Sequence, residues 1–253
     1  MSKDYNLIQH AGIGFGNSAD LTEDLSKAAG KAQAPVSSKM LADVSPAVRE
    51  ESLRLIQRLF LTSGQTVPKS VMFAAIDSGS GCSLLCAITA RLLAENVSGS
   101  VCLVHANFRT PPAPGLLGGE NHHGLADSLR QTGAVRDYAK RAGRDNLWLL
   151  SSGSLQDDSL NLLTSDRIKE RMVELRNEFS FVLIDAPPLN AYADGMAIGR
   201  LADGVVLVLE ANATRREAAL RVTESLRTAG IPVLGAVLNK RTFPIPAALY
   251  KRI

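Results

Sequence analysis

Between residues 69 and 240 the chain alternates uninterrupted apolar runs with stretches of helical periodicity. The runs fall at 70–75, 101–105, 147–149, 181–184, 205–209 and 233–238, with little polar interleaving. A strand wetted on one face alternates apolar and polar residues, whereas a strand buried on both faces reads as a continuous apolar run. Helical stretches are expected between the runs, at 82–95, 123–130, 133–142, 165–178, 193–201 and 214–229. Doubly buried strands separated by helices lie parallel, because each crossover lays its helix on one face of the sheet. The fold class is therefore α/β, a doubly wound, mostly parallel sheet with helices on both faces. At 253 residues and 45% hydrophobic, the chain is long enough to bury one sizeable core.

The flanks differ from this pattern. Residues 1–44 are rich in Gly, Ala, Ser, Lys and Asp without periodicity, and a flexible segment is expected there. The domain spans 45–240, and 241–253 form a basic C-terminal tail. An amphipathic helix is expected over 46–61, with Leu53, Ile56, Leu59 and Phe60 on one face. Glu50, Glu51, Arg54 and Arg58 lie mostly off that face. A net charge of +3 gives no ground for nucleic-acid binding. Three cysteines, Cys82, Cys86 and Cys102, fit a reducing compartment better than a disulfide framework. The Met-Ser-Lys-Asp-Tyr start lacks a signal-peptide pattern, and no apolar run approaches the roughly 20 residues that span a bilayer. The sequence reads as cytoplasmic, peripheral at the inner membrane only through a partner.

Chemistry concentrates at three strand ends. Asp77-Ser78-Gly79-Ser80-Gly81-Cys82-Ser83 follows the first run and opens a helix. Its glycines let the backbone turn tightly, so that N–H groups can face a phosphate. This strand, turn and helix is the layout of a P-loop, which closes on Gly-Lys-Ser/Thr. The lysine reaches the β/γ-phosphates and the hydroxyl holds magnesium. Here Ser83 keeps the hydroxyl, but Cys82 stands at the lysine position. The second segment is Val104-His105-Ala106-Asn107-Phe108-Arg109-Thr110-Pro111, and the third is Ile184-Asp185-Ala186-Pro187-Pro188. An apolar strand ending in aspartate places a carboxylate beside a magnesium-bound water.

Together these segments resemble the bacterial tyrosine kinase family, the capsule and exopolysaccharide autokinases related to MinD-type P-loop ATPases. Members read Gly-Lys-Ser-Thr at the first motif and Leu-Ile-Asp-x-Asp-x-Arg-x-Pro at the second. At the third they read Asp-Tyr-x-x-Ile-Asp-x-Pro-Pro. The resemblance covers residues 45–239 and takes in segments 124–129, 147–153, 203–208, 214–216 and 235–239 in order. It implies a P-loop NTPase-like fold and a nucleotide site at Gly79, Ser80, Gly81, Cys82, Ser83 and Asn239. ATP or ADP and Mg2+ are the implied cofactors, with Ser83 and Asp185 on the metal. If the site is active, Asp185 and Arg109 are its catalytic candidates. The implied partner is a membrane polysaccharide co-polymerase, the chain-length regulator. A Glu-x-x-Arg-x-x-Arg helix implies ring contacts between subunits.

The departures bear on function. Lysine is replaced by Cys82, the following threonine by Leu84, and both second-motif aspartates by His105 and Asn107. Losing the lysine removes the charge that offsets the transferring phosphoryl group. Asp77 adds a negative charge to the loop. Gln57 takes the third place of the ring motif, with Arg58 beside it, and Tyr250 alone stands for the family's tail tyrosine cluster. The leading expectation is a catalytically degenerate autokinase-like protein of polysaccharide synthesis or export. One alternative is an active but atypical tyrosine kinase or ATPase that uses Arg109, Lys69 or Lys240 in place of the lysine. Another is a MinD-like nucleotide-dependent scaffold. Cys82 and Cys86 share a helix face, which reads most plainly as apolar packing. At a helix N-terminus Cys82 is also a candidate for a lowered pKa and reactivity.

Overall fold

The computed structural model describes residues 13–14, 44–61, 67–110, 123–142, 146–156 and 159–241. The strands are β1 (Ile13–Gly14), β2 (Ser70–Ala75), β3 (Val101–His105), β4 (Lys140–Arg141), β5 (Leu147–Leu150), β6 (Phe181–Ala186), β7 (Gly204–Glu210) and β8 (Val233–Asn239). The helices are α1 (Pro46–Phe60), α2 (Cys82–Asn96), α3 (Leu125–Arg130), α4 (Ser159–Leu162), α5 (Asp166–Glu178), α6 (Asp194–Gly199) and α7 (Arg216–Thr228). One sheet runs in the order β1-β8-β7-β2-β6-β3-β5-β4. Every pair is parallel except β4 with β5. The fold class is the one expected from the continuous apolar runs.

Alternate residues of each central strand feed two cores. Val71 and Phe73 of β2, with Val101, Leu103, Leu183, Val206 and Val208, pack under α1 and α2. Met72 and Ala74, with Cys102, Val104, Val182 and Ile184, pack under α3, α5, α6 and α7. All six residues of β2 and all five of β3 are buried, which explains their lack of alternation. Helix α1 starts where Ser45 Oγ accepts the Val48 N–H at 3.4 Å and Pro46 opens the first turn. Its far end is pinned by Phe60, edge-on to Phe181 with ring centroids 5.4 Å apart.

The expected helix over 133–142 does not form. Gly133 has φ +128, Val135–Tyr138 form a single 3-10 turn, and Lys140–Arg141 pair with β5 as an edge strand. The reason lies in Arg171 of α5, only 1% exposed. Its guanidinium donates to the carbonyls of Ser128, Gln131 and Gly133 at 2.9, 2.9 and 2.7 Å. The Ser128 and Gln131 carbonyls close α3 and the Gly133 carbonyl lies just beyond it, and their capture turns the chain away before a new helix can propagate. The short α4 and the two-residue β1 fall outside the sequence expectations. β1 lies within the segment expected to be a tail and pairs with Val237 and Leu238 of β8. The loop over 111–122 and the tail from 242, with Tyr250, lie outside the described residues.

Candidate functional site

The three motif segments meet at the C-terminal ends of β2, β3 and β6, which are neighbours in the sheet. Asp185 is in register with Phe73 on one side and His105 on the other. The P-loop leaves β2 and is held from two directions. Behind it, Leu189 and Asn190 donate backbone N–H groups to the carbonyls of Ala75 and Ile76 at 2.9 and 3.1 Å. Asn190 Nδ2 also donates to Asp77 Oδ1 at 3.0 Å. Pro187 and Pro188 carry the chain directly from β6 into that contact. In front, Asn239 Nδ2 at the end of β8 donates to the Ser80 carbonyl at 2.8 Å. Gly79 and Gly81 take φ +86 and +77, the left-handed region that glycine enters freely. A Cβ on Gly81 would come within 2.6 Å of Asn239 Nδ2, so the clamp also requires glycine there.

Cys82 and Ser83 are the first two residues of α2, with Gly81 as the N-cap. Ser83 is therefore in the first turn, as the P-loop pattern requires. Cys82 is buried, and its thiol faces the Asp185 carboxyl. Burial pushes its pKa well up, and the Asp185 charge pushes it further, so the lowered pKa for which its helix N-terminus made it a candidate does not arise, and the apolar-packing reading fits. Cys86, one turn on, is also raised, by burial first and then by Asp185 and Cys82. Both cysteines act as small apolar residues of the core. Among the described residues no group of three or more His, Cys, Asp or Glu side chains is arranged to hold a metal ion.

At the second motif, His105 Nδ1 lies 2.9 Å from Asp185 Oδ2, with both side chains under 10% exposed, at 7% and 4%. The contact is close, yet it lacks good hydrogen-bond alignment, and no aligned partner meets either Asp185 oxygen or His105 Nε2 among the described residues. Asn107 is buried, and its Oδ1 accepts the N–H groups of Arg109 and Thr110 at 3.1 and 3.3 Å. It closes an Asx turn instead of facing a substrate. Arg109 is turned to Asp194, with Nε and Nη2 at 2.8 and 2.7 Å from its carboxylate, and stacks 4.6 Å over the Tyr192 ring.

The other two candidate cations are no better placed. Lys240 Nζ pairs with Glu210 at 3.2 Å. Lys69 precedes β2 at the end of the strand opposite the P-loop, about 20 Å away for six residues of strand. The residues missed by sequence reasoning are Asn190, Tyr192 and Asp194. They carry no motif of their own, and only the Pro-Pro turn before them hints that the segment folds back on the site. In α1, Glu51 and Arg54 of the half-matched ring motif pair within the helix, and Glu50 adds a second contact to Arg54.

The residues present do not fit a magnesium nucleotide well. One carboxylate remains where the pattern has three, and an imidazole and a thiol crowd it. Of the three candidate substitutes for the lysine, Arg109 and Lys240 are paired with carboxylates and Lys69 lies at the opposite end of β2.

Comparison with known proteins places the chain. It is 32% identical over 171 residues to the tyrosine-protein kinase YwqD of Bacillus subtilis, covering 68% of this chain and 72% of that one. The chain belongs to the bacterial tyrosine-protein kinase family. The putative tyrosine-protein kinase CapB of Staphylococcus aureus is 26% identical over 211 residues, 83% of this chain and 92% of that protein. The kinase domain of the Escherichia coli tyrosine kinase ETK superposes with a TM-score of 0.77 at 18% identity, over 97% of this chain and 96% of that one. That likeness fixes the P-loop NTPase-like fold. No family model matches the chain. Among the described residues no helix is long and apolar enough to cross a membrane.

Proposed function

We propose that this member of the tyrosine-protein kinase family is catalytically degenerate and acts in exopolysaccharide or capsule synthesis or export as a non-catalytic partner. Its partner, as the resemblance implies, is a membrane polysaccharide co-polymerase. The observation that carries this reading is the cluster of Cys82, His105 and Asp185. Phosphoryl transfer needs positioned cations around the developing charge and a carboxylate free to order metal and nucleophile. In this site the lysine is a buried neutral thiol, and the one carboxylate lies against an imidazole. Arg109, the best substitute cation, is held by Asp194. The scaffold around the gap is intact, with glycine loop, clamp and sheet all in place, so a docking surface elsewhere on the domain survives without ATP chemistry. The ring motif is half present, and its Arg54 is occupied within α1.

Calorimetry of ATP and ADP with magnesium tests the proposal. The native chain is expected to show no binding at millimolar nucleotide and no magnesium-dependent ATP turnover. Micromolar binding, or turnover lost in Asp185→Ala, would overturn it in favour of an atypical kinase or ATPase.

A further inference from the structure

We propose that the outer edge of β8 is a strand-docking site on which the β1 segment of a second copy of this chain exchanges with the chain's own. β8 is the last strand of the parallel core, and among the described residues β1 alone lies beyond it in the sheet. Its seven residues, Val233-Leu234-Gly235-Ala236-Val237-Leu238-Asn239, carry no charge and no proline. Charges and proline are what keep an edge strand from pairing with another chain, so an edge without them is a template for a further strand. β1 takes up that template at two positions, Ile13 with Val237 and Gly14 with Leu238. Val237 is buried in the core under α1 and α2, while the other six residues of β8 are half-buried.

Residues 15–45 separate β1 from α1. A stretch of that length reaches at most about 100 Å, more than the width of a neighbouring domain. The two register pairs are the same whichever chain supplies β1, so exchange neither adds nor loses a strand contact. Concentration decides between the two arrangements, because pairing across a long tether competes at an effective concentration no higher than about millimolar. Dispersed chains therefore keep their own β1, and copies held side by side trade it. The docking also bears on the glycine loop. Leu238, the partner of Gly14, directly precedes Asn239, whose Nδ2 donates to the Ser80 carbonyl at 2.8 Å. Asn239 is in turn the register partner of Glu210 on β7. With β1 outside and β7 inside, the end of β8 is flanked on both edges, and an exchanged β1 ties one copy's N-terminal segment to its neighbour's loop clamp. This goes beyond the proposed function and holds whether or not nucleotide binds.

Cysteines placed at the register partners Gly14 and Leu238 test the exchange in the full chain, since partners on adjacent strands lie within the roughly 4.4–6.8 Å between Cα atoms that a disulfide bridges. The three native cysteines are buried and are expected to stay out of the reaction. The doubly substituted chain, Gly14→Cys with Leu238→Cys, is expected to close an internal disulfide at micromolar concentration. An equimolar mixture of the Gly14→Cys chain and the Leu238→Cys chain is expected to give disulfide-linked dimers at millimolar concentration. Their yield should stand about tenfold above that of a mixture in which Leu220→Cys, exposed on α7, takes the place of Leu238→Cys and measures random collision. Replacing Ile13 and Gly14 together by proline, which removes both N–H groups of β1, should speed amide exchange in the 78–83 loop about threefold. Failure of the internal disulfide overturns the docking site. A cross-chain yield no higher than the Leu220→Cys control overturns the exchange, and unchanged loop exchange in the proline variant overturns the link to the clamp. Nucleotide calorimetry on the native chain reports separately on the proposed function, so the failure of one is distinguishable from the failure of the other.

Discussion

Replacing Arg171 by methionine isolates what one buried guanidinium does for this fold. The side chain is 1% exposed and donates to three carbonyls, those of Ser128, Gln131 and Gly133. Methionine keeps most of the apolar stem, so little cavity is created. The loss is then the Ser128 and Gly133 carbonyls left without a donor, at about 1–3 kcal/mol each, while Gln131 keeps the Arg167 Nη2 donor at 3.0 Å. A stacking contact with Tyr138 at 5.9 Å adds about 0.5 kcal/mol. Desolvation of the guanidinium offsets part of this, because methionine has no charge to bury. A net loss of about 3 kcal/mol remains. With a urea slope of about 2 kcal/mol/M, the midpoint should fall by about 1.5 M. The single tryptophan, Trp148, reports the transition from the same side of the sheet, packed 5.9 Å from Phe179 and under Arg136. A midpoint shift below about 0.3 M would refute the reasoning, because it would mean that the Ser128 and Gly133 carbonyls find other donors. The fold around α3 and the 3-10 turn would then not depend on α5.

The remaining predictions concern thiols, pH, glycine and the loop clamp. All three cysteines are buried, and burial pushes the thiols of Cys82 and Cys86 well up, so native protein at pH 8 should resist iodoacetamide for hours while urea-unfolded protein takes up three equivalents. Because those pKa values are raised, their contribution to stability is whole below the unfolded thiol value near 8.5 and declines as pH rises above it, which alkaline unfolding curves should show. Burial tends to raise the Asp203 carboxyl, but N–H groups of Ser70 and Lys69 and the Arg176 charge outweigh it and hold it low. Its stabilisation is present above the unfolded value near 4 and fades as pH falls below that, so Asp203→Asn should cost about 1 kcal/mol at pH 7 after solvent screening and flatten the acid limb of the stability curve. Gly153→Ala should abolish folding or cost at least about 3 kcal/mol by thermal melting, since φ is +76 and the added Cβ would collide with Asp127 Oδ2 and the Gly124 N–H. Asn239→Ala should speed amide exchange in the 78–83 loop by about tenfold with little change in global stability, as it removes one tether of about 1 kcal/mol.

The parallel core was legible because its strands are buried on both faces, and that leaves a plain mark in the sequence. Val101–His105 reads as one apolar run, and it forms a strand with those limits. The error at 133–142 has the opposite origin. Val135 and Tyr138 have helical spacing, but the backbone there is governed by Arg171, which is distant in sequence and looks like one more surface arginine of an amphipathic helix. The site was legible in its position and in its departures, since Cys82, His105 and Asp185 sit at strand ends that any P-loop pattern marks. Their mutual geometry was not. Proximity of residues 105 and 185 follows from strand order, and strand order is set by which crossovers pack best. The commitment of Arg109 to Asp194, and of Asn239 to Ser80, was equally hidden. In both cases the sequence showed a polar side chain suited to a ligand, and the fold gave it a protein partner.

The clamps that hold the glycine loop join distant stretches of chain. Asn190 and Asp77 are 113 positions apart, and Asn239 and Ser80 are 159 apart. Closing such long intervals is entropically late work in folding, because local elements form before distant strands can be paired. During synthesis the loop and its cysteine are made well before β6 and β8 exist to cover them. For that interval Cys82 is an ordinary accessible thiol, open to oxidants that the finished protein excludes. The vulnerable moment of this site therefore belongs to the nascent chain, and it ends when the last strand docks.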